Sequence, residues 1–195
     1  MKNKLKNLNA LILIGGKSTR MGTDKSQLIY HKQPQLKHLF NLLKEILPEE
    51  NIYFSVRDHE QLKEKRVIVD TYPDLGPFGA IYAAFEQDNI KSWLVLAVDI
   101  PFINTRILNL LINNRNPSKI ATTFQGKNKK YPEPLITIWE PKVIPLLKEN
   151  LLQKNYSLVN LLRQNEVEII PINKRLLKNV NTKKAYQKII QKIKK

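Results

Sequence analysis

The sequence predicts an α/β fold built on a largely parallel sheet with helices on its faces. Apolar runs alternate with helix-period segments from end to end, the pattern of successive strand and helix units. One run, Trp93-Leu94-Val95-Leu96-Ala97-Val98, is nearly unbroken, as a strand buried on both faces requires. Three polar, potentially reactive segments also fall just past the carboxyl ends of strands, where open α/β sheets bind ligands.

The elements follow in order. Residues 8–14 read as a buried first strand, followed by a glycine-rich loop to Lys25. Residues 35–46 form a helix with Leu36, Leu39, Phe40, Leu43 and Leu47 on one face. Strands are predicted at 52–56 and 66–69. Gly76-Pro77-Phe78-Gly79 opens a helix to about Phe85, with proline at an early position where its missing N–H costs nothing. The apolar run at 92–98 is the central strand, followed by a helix at 105–112 and strands at 120–124 and 134–139. Residues 141–150 form a helix with proline near its start. Ser157 caps a helix ending at Arg163, residues 166–172 are the last strand, and Thr182 caps a lysine-rich final helix. The polar tract Gln125 to Lys130 is expected to be a mobile loop because it lacks apolar anchors.

At 195 residues and 22.8 kDa, one domain over 1–195 with one core is expected, since single domains commonly span ~100–200 residues. Cysteine is absent, so disulfides, thiolate metal sites and cysteine nucleophiles are excluded. With only His31, His38 and His59 present, a multi-histidine metal centre is not expected, and no catalytic role is assigned to His31 or His38. No apolar run reaches the ~20 residues of a membrane-spanning helix, and the polar, lysine-rich start lacks the features of a signal peptide. A cytoplasmic protein without a membrane partner is expected.

The net charge is +16, from 33 Lys and Arg against 17 Asp and Glu, a balance that favours anionic partners. Its distribution argues against a nucleic-acid site. Lysines are scattered, and Lys184, Lys188, Lys192 and Lys195 follow helical spacing, as a solvated helix face does.

The segment Leu11 to Lys25 carries the chemistry. Glycine-freed backbone amides beside Arg20 and Lys25 make a place for a polyphosphate. Two phosphate motifs are excluded. Gly16-Lys17-Ser18 imitates the end of a Walker A loop, but the required earlier glycine is Leu11, and glycines at 15, 16 and 22 do not match G-x-G-x-x-G. Asp70 and Asp99 stand at the ends of the third and central strands. Each alone is more often a turn or cap residue, and Arg57, Asp58 and His59 read as ordinary loop polarity.

In their joint order these segments resemble a known family. Leu13-Ile14-Gly15-Gly16-x-Ser18-x-Arg20-Met21-Gly22-x-Asp24-Lys25 is similar to the L-A-G-G-x-S-x-R-M-G-x-D-K loop of molybdenum cofactor guanylyltransferases. Val67-Ile68-Val69-Asp70 with Gly76-Pro77-Phe78-Gly79-Ala80-Ile81, then Val98-Asp99-Ile100-Pro101-Phe102, then Asn179-Val180-Asn181-Thr182, resemble the family's remaining segments. The resemblance spans nearly the whole chain. It implies the three-layer, Rossmann-like nucleotide-diphospho-sugar transferase fold with a mostly parallel mixed sheet.

It also implies roles by position. Leu13, Ile14, Gly15 and Gly16 would line the nucleotide through backbone contacts, Ile14 replacing the usual alanine. Lys25 matches the lysine that contacts the triphosphate, Arg20 assists with phosphate bonds, Asp70 contacts the nucleotide and Asp99 holds Mg²⁺. Ser55 stands where the family often has asparagine and receives no role, while Asn181 serves either the phosphate region or the start of the last helix.

The implied reaction moves GMP from GTP onto molybdopterin-bound molybdenum cofactor, with a molybdenum-insertion protein and apo-molybdoenzymes as implied partners. A related cytidylyl or sugar-phosphate nucleotidyltransferase is the alternative within enzymes. Gly15-Gly16 favours the guanylyl branch, because cytidylyl relatives tend to carry alanine before the glycine. A non-catalytic nucleotide- or nucleic-acid-binding protein is the remaining alternative; two strand-end aspartates oppose polynucleotide binding, since carboxylates repel phosphate without a metal between them.

Overall fold

The computed structural model describes residues 2–14, 25–57, 66–180 and 182–193. A seven-stranded mixed sheet forms its middle layer. The strands are β1 (Leu8–Leu13), β2 (Ile52–Val56), β3 (Val67–Val69), β4 (Ser92–Ala97), β5 (Ala121–Gly126), β6 (Glu133–Trp139) and β7 (Val167–Ile172), in the spatial order β3-β2-β1-β4-β6-β5-β7. All neighbouring pairs are parallel except those of β6, which runs antiparallel to β4 and β5. The expected mixed, mostly parallel sheet is present, with β4 at its centre.

Helices cover both faces because the strands bury both. Every residue of β1 and of β4 is buried. Alternate residues point to opposite layers: Ala10 and Ile12 join one apolar cluster, Leu11 and Leu13 the other. The first cluster takes the buried stripes of α2 (Gln35–Lys44) and α4 (Thr105–Asn113); the second takes α3 (Pro77–Gln87), α5 (Ile144–Leu152) and α6 (Leu158–Gln164). A short α1 (Lys2–Leu5) precedes β1, and α7 (Lys183–Ile193) closes a third cluster of Leu28, Tyr30, Val180 and Ile189.

The caps at Ser157 and Thr182 conform to expectation, and the structure adds one at Asn104. The Ser157 hydroxyl accepts from Asn160 N–H at 3.3 Å, Thr182 accepts from Ala185 N–H at 3.2 Å, and Asn104 starts α4 by accepting from Ile107 N–H at 3.0 Å.

Two expectations need correction. The helix expected at 141–150 is a 3-10 turn, Pro141–Val143, followed by α5. Pro145 has no N–H to return to the carbonyl of Pro141, so that carbonyl is instead reached by Ile144 N–H in a tighter turn. The tract 125–130 is not an unanchored loop. Gln125 and Gly126 belong to β5, opposite Pro171 and Ile172, and Lys127 N–H donates to Ile172 C=O at 2.8 Å. Lys129 N–H closes the turn on Gly126 C=O at 2.8 Å, and Asn128 occupies the left-handed region at φ 63°. Backbone hydrogen bonds anchor it where apolar side chains are missing.

Among the described residues no helix is long and apolar enough to cross a membrane.

Candidate active site

The strand registers bring the expected site residues to one level. Leu13 lies beside Ser55 on one side and Ala97 on the other, and Val56 lies beside Val69. One step further along, Ile14, Val56, Val69 and Val98 share a level; one more step places Arg57, Asp70 and Asp99 together along the carboxyl edge. Asp70 on β3 and Asp99 on β4 are nevertheless three strand spacings apart, about 14 Å. The ends of β2 and β1 lie between them.

Leu13 and Ile14 are the last described residues of that central position. Leu13 C=O accepts from Val98 N–H at 3.3 Å and Ile14 N–H donates to Ser55 C=O at 3.4 Å. Both bonds are long for a sheet, so the ladder is opening here. Ser55 is buried and takes part through its carbonyl. Gly15, Gly16, Arg20 and the side chain of Lys25 lie outside the described residues, as do Asp58, His59 and Asn181.

Asp70 is held by its neighbours. Its N–H donates to Val56 C=O at 2.8 Å, and its carboxylate accepts from Tyr72 N–H at 2.9 Å. Burial raises its pKa, against the opposing effects of that amide and of Arg57. Gly79, in the first turn of α3, explains why the carboxylate can sit there. A Cβ at 79 would run into Tyr72 O and come within 2.8 Å of Asp70 Oδ1. Gly76 supplies the other requirement, a left-handed φ of 59° at the entrance to α3.

Asp99 is half-buried in a turn fastened from three sides. Val180 N–H donates to Asp99 C=O at 2.8 Å, which brings Val180 to the end of the central strand. Gln35 Nε2 reaches Ile100 C=O at 3.4 Å, and His31 Nε2 lies 2.7 Å from Pro101 C=O. His31 in turn stacks on His38, ring centroids 4.0 Å apart. His38 lies in α2, and both histidines are half-buried beside the turn that carries Asp99. Burial, then the neighbouring His31, lowers the pKa of His38 and keeps the pair compatible with close stacking.

Two site residues were not singled out from the sequence. Because β6 runs antiparallel to β4, its first residue, Glu133, stands toward the edge at which β4 ends. Burial raises the pKa of Glu133; the Leu135 amide opposes this, the charge of Asp99 adds to it and that of Lys129 opposes it. Tyr30 is 6% exposed, its hydroxyl has no hydrogen-bond partner in the structure, and burial, Tyr186 and Asp99 together push its pKa far above the usual phenol range. The sign that could have found Glu133 is its place between Pro132 and Pro134, an acidic side chain on a restrained backbone at a strand start.

Comparison with known proteins agrees with this geometry. Residues 10–169 match the model of the MobA-like NTP transferase domain. A probable molybdenum cofactor guanylyltransferase of Flavobacterium johnsoniae is 28% identical over 168 residues, covering 86% of this chain and 87% of the relative. One of the same description from Carboxydothermus hydrogenoformans is 28% identical over 196 residues, covering 96% and 97%. The crystal structure of molybdopterin-guanine dinucleotide biosynthesis protein A from Archaeoglobus fulgidus superposes with a TM-score of 0.77 at 21% identity, covering 95% of this chain and 98% of that one, and shares its fold. With the family's domain matched over most of its length, the chain belongs to the MobA-like NTP transferase family.

Proposed function

We propose that the chain transfers GMP from GTP to the terminal phosphate of molybdopterin-bound molybdenum, forming the guanine dinucleotide cofactor and pyrophosphate. The carrying observation is that Ile14, Asp70 and Asp99 follow the ends of β1, β3 and β4 on one carboxyl edge, in a family member whose relatives carry the guanylyltransferase name. An oxygen of the acceptor phosphate attacks the α-phosphorus of GTP. That P–O bond forms as the bond to the bridging oxygen breaks, and the electron pair leaves with pyrophosphate. The acceptor oxygen is already anionic, so no side chain has to remove a proton, and catalysis consists of alignment and charge neutralisation.

The residues divide this work by position. Backbone groups of Leu13, Ile14, Gly15 and Gly16 line the base. Asp70, a carboxylate able only to accept when ionised, takes an N–H or O–H of the nucleoside rather than a phosphate. Lys25 and Arg20 neutralise the triphosphate and the departing pyrophosphate. Mg²⁺ fits the donor set, because it binds through one or two carboxylates with substrate phosphates and water, and Asp99 offers a carboxylate on a turn fastened from three sides. When bound it offsets the negative charge gathered on the phosphates. The partners that follow are GTP, molybdopterin-bound cofactor and the proteins that deliver and receive it.

The test is pyrophosphate release with GTP, CTP and ATP, with and without Mg²⁺ and molybdopterin. Turnover confined to GTP, Mg²⁺ and molybdopterin is expected; turnover with a sugar phosphate overturns the reading. Lys25→Ala should slow the reaction by ~100-fold or more at saturating GTP, in the range found when a transition-state charge contact is removed.

A further inference from the structure

We propose that His31 is a positioning residue of the transfer site: its ring N–H ties the turn that carries Asp99 to the segment continuing from Lys25, and so sets how firmly the metal-bound nucleotide is held. The proposal rests on the reading of Asp99 as the metal carboxylate and Lys25 as the triphosphate lysine.

Three successive carbonyls of the Asp99 turn are each taken by a donor from outside it. Asp99 C=O accepts from Val180 N–H at 2.8 Å, Ile100 C=O from Gln35 Nε2 at 3.4 Å, and Pro101 C=O from His31 Nε2 at 2.7 Å. A carbonyl only accepts, so Nε2 of His31 carries the proton. The histidine makes the shortest of the three bonds.

The segment that supplies this donor is itself fixed. Lys25 opens a 3-10 turn, Lys25–Gln27, and the chain then folds back on itself as a tight hairpin with His31 six positions after Lys25. Ile29 and Pro34 form an antiparallel bridge, Gln35 N–H donates to Leu28 C=O at 2.8 Å, and Lys32 turns the chain in the left-handed region at φ 61°. From α7 the Tyr186 hydroxyl donates to Ile29 C=O at 3.1 Å, and its ring meets Tyr30 edge-on, centroids 5.1 Å apart. From α2 the His38 ring stacks on His31, centroids 4.0 Å apart and planes inclined by 23°. A ring backed by a second ring keeps one orientation, so its N–H keeps one direction.

The consequence is for alignment. Lys25 and Asp99 act on one metal-bound triphosphate, and such groups work only when held within ~0.5 Å of their productive positions. Without the His31 N–H the hairpin keeps its bonds to α2 and α7, so it is the Asp99 turn that loosens.

Isothermal titration calorimetry on the full chain compares the Mn²⁺ complex of GTP with metal-free GTP in EDTA. His31→Phe keeps a ring to stack on His38 and lacks the donor. It should weaken the Mn²⁺ complex about ten-fold, as loss of an outer-shell contact does, and leave metal-free GTP within two-fold of the parent. His31→Gln, which returns an N–H near the place of Nε2, should recover most of the loss. Asp99→Asn is the reference for losing the metal contact. If Asp99→Asn weakens the Mn²⁺ complex while His31→Phe stays within two-fold, the His31 assignment falls and Asp99 stands. If His31→Phe weakens both forms of GTP equally, or His31→Gln restores nothing, the ring serves the fold alone and the proposal fails. If the parent binds no GTP, or Asp99→Asn binds the Mn²⁺ complex as the parent does, the reading of Lys25 and Asp99 falls and the proposal with it. Circular dichroism monitors folding, and should His31→Phe misfold, His31→Ala decides by the same comparison.

Discussion

Strand β6 has a glutamate at each end, and the two are held in opposite ways. Glu140, just past its last residue, is 2% exposed and meets Arg115, itself 4% exposed, with Nε to Oε1 at 2.7 Å and Nη2 to Oε2 at 3.0 Å. Arg115 also donates to Ser92 Oγ at 2.6 Å and to the carbonyls of Lys4 and Lys6 at 2.7 and 3.0 Å, so each of its five N–H groups has an acceptor. Glu133, at the other end, accepts from one backbone amide and feels the charges of Asp99 and Lys129 in opposite senses. One end of the sheet has its charges in a closed, fully hydrogen-bonded pair; the carboxylate at the other, more open end holds a single amide. The closed network fastens the first segment of the chain to β4 and β6.

Substitutions can break this contrast. The largest expected effect is on activity at the open end. Asp99→Asn should lower pyrophosphate release by roughly 10³-fold, about 4 kcal/mol of lost transition-state stabilisation, while the urea midpoint barely moves. Comparable instability together with lost activity would mean that Asp99 serves the fold. Arg115→Ala should do the reverse. It strands Glu140 in the interior at a cost of about 3–5 kcal/mol, lowering Tm by ~10 °C, with KM for GTP unchanged in the folded protein. A loss below 1 kcal/mol in urea unfolding would show that the network contributes little.

Gly79→Ala tests the open end more finely. The added methyl meets Tyr72 O and Asp70 Oδ1, so an overpacking cost of about 1–3 kcal/mol is expected together with a raised KM for GTP. Unchanged nucleotide affinity would remove Asp70 from the binding surface. The smallest effect concerns Glu133 and pH. Because its pKa is raised above the ordinary 4.5, the folded state holds that proton more tightly than the unfolded chain. Stability from this group is therefore full below pH 4.5 and is lost as pH rises through the folded value. Glu133→Gln should raise the metal-free Tm at pH 7.5 by roughly 2 °C and leave it unchanged at pH 4, as removal of functional strain typically does. A destabilised variant at pH 7.5 would reverse the assignment of strain to this end.

Much of the open end was legible in the linear order of residues. Asp70 and Asp99 could be picked out because each follows a short apolar run, and a parallel sheet necessarily sends the ends of its parallel strands to one edge. Glu133 could not, because it begins a strand. Only the antiparallel direction of β6 turns a strand start toward that edge, and nothing in residues 133–139 specifies direction. Tyr30 reads as one more apolar position after the loop, and its place near Asp99 depends on α7 and Val180, about 150 residues away in sequence. The partnership of Arg115 and Glu140 was equally hidden, since each looks like an ordinary residue beside a turn.

By itself the sequence determined the α/β class, the strand and helix order, the caps at Ser157 and Thr182 and the two strand-end aspartates. These depend on local periodicity, side-chain capping and the glycine and proline positions, all of which act within a few residues. Tertiary structure alone decided the direction of β6, the histidine stack beneath the Asp99 turn, the close approach of Gly79 to Asp70 and the division of charge between the two ends of the sheet. Each of those is a contact between distant segments, and its energy exists only once the layers have packed.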